Sequence, residues 1–367
     1  MRHGALALLA FVLLACDPGS QPSTTQTPTP RPNPADTRAG DLRTHLDLLL
    51  GEQVMIVAKQ AVAAINQTDD YQSYTALLAT NTADLTEVLR RAFGNTTATS
   101  LATSWDTQNA YLVDYTIGVA THNDARSKAA MSNLTQKFVP QFAGLISDAS
   151  RLPLDPVTLL LAQQALEDKA FIDDYGAQKA EAFYNDLRRA YAQSARFGDA
   201  LSVEIAHRYP DKFPGDPELR AVNVRVSANT LLQERSYLET MATAAKIGSR
   251  EPDYGFAIGA VITNGRDVAA VFGAAMGQDP VALDRALADE SLALKNYATG
   301  EGGKDALVQN AGQVASLSGV SKQHAVDHAN ALIKVVDDQK AKSFSAIAND
   351  DRAAATSTQP MADAIRG

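Results

Sequence analysis

The 367-residue chain has one cysteine, one tryptophan and only 6% aromatic residues. A lone cysteine makes no internal disulfide and no cysteine metal site. Scarce aromatics weigh against an all-β sandwich, whose strands lean on aromatic and β-branched residues. Positive charge is also short: 33 Lys and Arg against 42 Asp and Glu leave a net charge of −9. Neutralising phosphates needs clustered cations, so no nucleic-acid partner is expected. There is no GxSxG elbow, no P-loop, and no GxGxxG following a strand. No catalytic residue and no resident cofactor are expected on these grounds. What is plentiful is apolar residues, at 45% enough for a substantial core.

The first long apolar run, Ala5 to Ala15, spans eleven residues. A membrane-spanning helix needs about 20, so the run suits the hydrophobic region of a secretory signal. It ends Leu13-Leu14-Ala15-Cys16, which resembles a bacterial lipobox. That resemblance implies cleavage after residue 15 and lipidation of Cys16, with two or three acyl chains as a stable membrane anchor. The expected location is extracytoplasmic and membrane-anchored, in which membrane of a two-membrane host staying open.

Residues 17–40 hold six of the fifteen prolines among many Ser and Thr. Such a stretch buries too little surface to offset its chain entropy, and its prolines keep it extended. The expectation is a disordered, Pro/Thr-rich tether over 16–40.

From Asp41 the apolar spacing turns helical. Leu42, Leu46, Leu49, Ile56 and Ala64 share a stripe, as do Leu101, Trp105, Leu112 and Tyr115. Turn signals at Gly94, Pro153, Gly176, Gly277 and Gly300 punctuate the pattern. Helices are expected near 41–66, 71–93, 98–121, 124–149, 155–175 and 179–208. A second set follows near 221–247, 254–276, 280–299, 304–317, 321–340 and 342–365. Pro140 is expected to kink the fourth helix. The fold class is therefore all-α: two antiparallel bundles of about six helices, 41–208 and 219–367, joined by the proline-rich linker 209–218.

The two sets look like copies. Asn81, Asp84 and Gly94 have the spacing of Asn264, Asp267 and Gly277. Asp174 precedes Asp199 by 25 residues, and Asp338 precedes Asp363 by 25. Arg188 and Arg352 each lie 11 before the later aspartate.

Polar residues that interrupt the stripes are the candidate site. Gln53, Gln108, Gln164 and Gln193 each fall at an inward position, where an amide needs partners. Aligned through the repeat, the second half offers Arg235, Glu290, His328 and Ser357, with Arg235 and Glu290 placed to form a buried ion pair. His324 and His328 share one helix face, and Glu290 could add a carboxylate, giving a minimal metal set. The competing reading makes one histidine solvent-facing and the other a hydrogen-bonded core residue. His45, His122 and His207 read as surface or interface residues. Glycines between 255 and 277 fit close helix packing. The adjacent acids Asp173-Asp174 and Asp337-Asp338 diverge on a helix and fit solvated faces.

Residues 46–213 carry Leu49-Leu50-Gly51-Glu52, Val113-Asp114-Tyr115-Thr116, Ile172-Asp173-Asp174-Tyr175, Gly198-Asp199-Ala200-Leu201 and Tyr209-Pro210-Asp211-Lys212-Phe213. These segments resemble a helical domain of secreted and surface proteins in Gram-positive bacteria. Some of those proteins also carry a copper-amine-oxidase-like N-terminal domain, which has no counterpart here. Typical members have histidines where this chain has Gln53, Gln108, Gln164 and Gln193. The resemblance implies a helical fold, and the substitutions imply that any metal or haem chemistry of those histidines is lost in the first half. Three functions follow as expectations: a non-catalytic binding or structural module meeting envelope partners, a metal- or haem-binding bundle with a redox or storage role, and a small-molecule sensor.

Overall fold

Thr37 starts the fold in the way helix starts require. Its backbone is extended and its Oγ1 accepts from Gly40 N at 3.0 Å, satisfying one of the free N–H groups of the first turn. The helix it opens, α1 (Arg38–Asn66), closes at Gln67 in the left-handed conformation. The structure is a computed structural model that describes residues 33–365. The expected signal peptide, Cys16 and the tether up to residue 32 lie outside them.

Among the described residues every regular element is helical. After α1 come α2 (Tyr71–Phe93), α3 (Asn95–Ala120), α4 (Asp124–Asn133), a π-helical turn (Leu134–Phe138) and α5 (Val139–Ser150). α6 (Leu154–Gly176) and α7 (Ala180–Arg208) complete the first half. The second half holds α8 (Arg220–Ile247), α9 (Glu251–Met276), α10 (Pro280–Thr299), α11 (Lys304–Ser318), α12 (Lys322–Ala341), α13 (Phe344–Thr356) and α14 (Gln359–Asp363). The all-α class holds, and most boundaries fall within a few residues of the sequence expectation.

Two helices differ, each for a proline reason. The expected helix over 124–149 is interrupted before Pro140, where Val139 N bonds to Leu134 O, five residues back. Pro140 has no N–H to give, and the wider π turn absorbs the missing bond. The expected helix 342–365 breaks at Ser357–Thr358, and Pro360 sits at the start of the short α14.

α1 and α8 form the centre. They lie side by side and parallel, since Arg225 meets Asp41, Tyr237 meets Glu52, and Thr240 meets Lys59. The most apolar 18 residues of α1 are hydrophobic enough to cross a membrane, yet 78% of that window is buried in protein. α1 is the core helix of the fold. α7 presses on it closely: a Cβ on Gly198 would sit 2.1 Å from Asp47 Oδ1, and one on Gly51 2.7 Å from the Tyr191 ring.

Two expected boundaries are corrected. The tether does not run to Gly40: Asn33 Nδ2 donates to Ile365 O at 3.1 Å, and Ala35 packs with Ala221, Val222 and Val226. Small apolar residues and one amide suffice to dock 33–37. The two bundles are also not separate bodies. The described residues 33–365 form one unit, and the first-half core runs on through Tyr237, Leu238, Val261 and Ile347.

The contacts across that shared core come in matching pairs. Asn81 Nδ2 donates to Leu49 O at 2.9 Å and Glu52 at 2.8 Å; Asn264 Nδ2 donates to Leu231 O at 2.9 Å and Glu234 at 2.6 Å. Arg188 of the first half clamps Glu234 (3.0 Å) and Asp267 (2.8 Å) of the second. Arg352 of the second clamps Glu52 (3.0 Å) and Asp84 (2.5 Å) of the first. Each buried glutamate thus receives an amide from its own half and a guanidinium from the other.

Candidate functional site

The four glutamines are all buried. They do not meet one another. Gln53 donates to Asn109 Oδ1 at 3.2 Å, and Asn109 donates in turn to Thr82 at 3.1 Å. Gln164 donates to Asp168 Oδ1 at 2.8 Å, one turn along its own helix. Gln193 donates to Leu160 O at 3.3 Å and accepts from Arg196. Gln108 Oε1 has no partner among the described residues. Gln53 and Gln193 each tie one helix to another, and the four amides assemble no shared pocket. Asp168 is fully buried and its second oxygen has no partner among the described residues, so burial pushes its carboxyl up to about 7.

The second-half set does converge. Arg235 reaches Glu239 at 2.7 Å, Ser291 Oγ at 2.9 Å, Leu287 O at 2.5 Å and Glu290 at 3.4 Å. His328 Nδ1 lies 3.0 Å from Ser357 Oγ and 3.2 Å from Ala354 O, and shares one small void with Arg235 and Glu290. Two carboxylates on one guanidinium leave Glu239 under-compensated: burial raises it to about 7, against the pull of Arg235. Burial holds His328 below its ordinary value. The void is about 10 Å³, the space of one water at most. Among the described residues no three His, Cys, Asp or Glu side chains gather to hold a metal ion. Glu290, His324 and His328 are therefore not brought together as a ligand set. Helical spacing alone aligned the two histidines, while helix packing gave His328 to Ser357.

A larger cavity opens elsewhere, at the C-terminal ends of α1, α8 and α12. It measures about 450 Å³. Sequence reasoning missed it because it is built from three helix-to-helix turns distant in sequence. Gln67, Ser249 and Lys342 each take positive φ in those turns. Lys59 lines it, buried within the stretch Val54–Ile65, which is apolar but for Lys59 and Gln60. Lys59 Nζ donates to Thr240 Oγ1 and to Asp351 Oδ2, both at 2.7 Å, and Tyr74 OH donates to that same carboxylate oxygen at 2.5 Å. Also on the lining, Asp253 accepts from Tyr184 OH at 2.8 Å, Arg250 Nε at 3.0 Å and Tyr175 OH at 3.2 Å. Burial, reinforced by the neighbouring carboxylates, pushes the Tyr74 and Tyr184 phenols well up, so both remain donors. The one legible signal was Lys59 itself, a charge inside an apolar run.

Asp253 lines the space directly and Asp351 lies behind Lys59 and Tyr74; the apolar part of the lining is Val62, Met241, Ile247, Phe344 and Ile347, and Asn66, Thr68, Asp69, Asp70, Ser249, Gln339 and Lys342 make the rest largely polar. No histidine or cysteine lines it. Pairing with Asp351 and Asp253 fixes Lys59 and Arg250 in place before anything enters. A second groove of about 660 Å³ lies near the chain's entry, where Arg38, His45, Arg91 and Lys212 face Asp41 and Asp211. Its charged groups are largely solvent-facing and none is buried. Compared with protein families, curated proteins and solved structures, the chain matches none.

Proposed function

We propose that this chain is a non-catalytic binding module of the bacterial cell envelope, anchored by lipid at Cys16, that takes a small molecule into the cavity over Lys59. The observation that carries this reading is the cavity itself: an apolar patch beside convergent, pre-positioned polar groups is what ligand sites are made of. Lys59 and Arg250 are each held in place by a carboxylate of the fold, Asp351 and Asp253, which suits holding a ligand more than driving a reaction. Position supports the same reading. The described chain enters at Asn33, beside the start of α1. Lys59 lies 21 residues beyond Arg38, about 30 Å along the helix. The cavity therefore lies at the far end of α1 from the point where the described chain begins. The resemblance of residues 46–213 to secreted helical domains fits an extracytoplasmic setting. The matching Asn–Glu–Arg clamps support a duplicated chain whose halves have fused around one core, with the cavity between them.

Ala244, partly buried on the cavity wall, gives the test. Purified protein is screened by thermal shift against a metabolite library, beside an Ala244→Phe variant that fills the space. Ligands that stabilise the parent and not the variant support the reading. Ligands that stabilise both equally, or none at all, count against it. For the anchor, Cys16→Ser should move the protein from the membrane to the soluble fraction; retention at the membrane would refute lipidation.

A further inference from the structure

Building on the cavity as the binding site, we infer that its ligand is an α-amino acid with a bulky apolar side chain. Three cavity groups have hydrogen-bonding capacity that the fold leaves unused. An ammonium has three donors. Two of those on Lys59 go to Thr240 and Asp351, which leaves one. Gln339, 8% exposed, donates to Thr240 O at 2.9 Å, and its Oε1 has no partner among the described residues. Asp70 stands at the N-cap of α2, where a carboxylate ordinarily accepts from the first turn. Here it makes no such bond, and its buried Oδ1 has no partner among the described residues.

These groups are of opposite kinds and line one cavity. Lys59 and Gln339 both bind Thr240, one through its hydroxyl and one through its carbonyl. A cationic donor therefore sits beside a neutral acceptor, and the carboxylate of Asp70 lines the same cavity. Arg250 adds a second cation at the wall, with its Nε committed to Asp253 and its other N–H groups available to an anion. An α-amino acid carries a carboxylate and an ammonium on one carbon. Its carboxylate suits Lys59 and Arg250, and its ammonium suits Gln339 Oε1 and Asp70. The side chain then meets Val62, Met241, Ile247, Phe344 and Ile347. A dicarboxylate would bring negative charge against the Asp70 and Gln339 oxygens. A diamine would bring positive charge against Lys59 and Arg250. A sugar would leave the apolar wall without a partner.

Isothermal titration of the full chain with L-phenylalanine, 2-phenylethylamine and 3-phenylpropionate tests the assignment, with L-leucine as a second side chain. L-Phenylalanine is expected to bind at least tenfold more tightly than either half-molecule. Asp70→Asn removes the anionic acceptor without breaking a cap bond. It should weaken L-phenylalanine severalfold, leave 3-phenylpropionate unchanged, and leave the melting temperature of the free protein unchanged. Equal binding of the amine or the acid would overturn the assignment, as would an Asp70→Asn variant that binds L-phenylalanine normally. A different compound that fills the cavity and is blocked by Ala244→Phe, with no response to either amino acid, would overturn the ligand class and leave the cavity as the binding site. No cavity-dependent ligand of any kind would overturn both.

Discussion

Asp168→Asn should make the protein more stable, and by an amount that grows with pH. Asp168 is buried in α6, held by one bond from Gln164 and raised from 3.8 to about 7. Between those values the folded protein keeps a proton that the unfolded chain has lost. Stability therefore falls as pH rises through that window, and levels off above about pH 7. A displacement of about three pH units corresponds to roughly 4 kcal/mol at pH 8. Asparagine keeps an acceptor for Gln164 and carries no charge to bury. Urea unfolding at pH 4 and pH 8 measures the difference between the two proteins. Glu239, also raised to about 7, is present in both and cancels. The stability advantage of the variant should increase by about 4 kcal/mol from pH 4 to pH 8. An advantage that is the same at both pH values would refute the reasoning.

Other perturbations probe the core and the cavity lining. Lys59→Met strands the buried Asp351 and should cost about 3–5 kcal/mol in urea unfolding; adding Asp351→Leu should recover most of the loss, and no recovery would show that the pair is not the cause. Arg188→Gln and Arg352→Gln each leave a buried glutamate without its cation. Their costs should be alike, about 2–4 kcal/mol each, and nearly additive in the double variant because the clamps share no residue. Gly198→Ala places a methyl group against Asp47 and should lower stability by about 1–3 kcal/mol, whereas Gly144→Ala, with open space around it, should be close to neutral.

Helical class and most helix limits were readable because apolar spacing and turn residues are local signals. α10 begins at Pro280 behind the capping Asp279 and ends before Gly300, and each of those residues announces its role. The inward glutamines were equally readable from their stripe positions, but their partners were not. Whether Gln53 meets Gln108 or Asn109 depends on the rotation of one helix against another, which no single stripe encodes. The tether limit failed for a related reason. Asn33 and Ala35 look like linker residues until the C-terminal Ile365 and the face of α8 are brought beside them. The cavity was hidden most fully. Its lining comes from turns after α1, α8 and α12, and each turn on its own reads as an ordinary helix end.

The most direct test of the account is a crystal structure of the protein grown with its tightest-binding small molecule. The account predicts ligand density over Lys59, against Gln339 and Arg250, and an empty cavity in crystals of Ala244→Phe grown with the same compound. Ligand density in the groove between Arg38 and Lys212, with the cavity over Lys59 unfilled at saturating concentration, would contradict it.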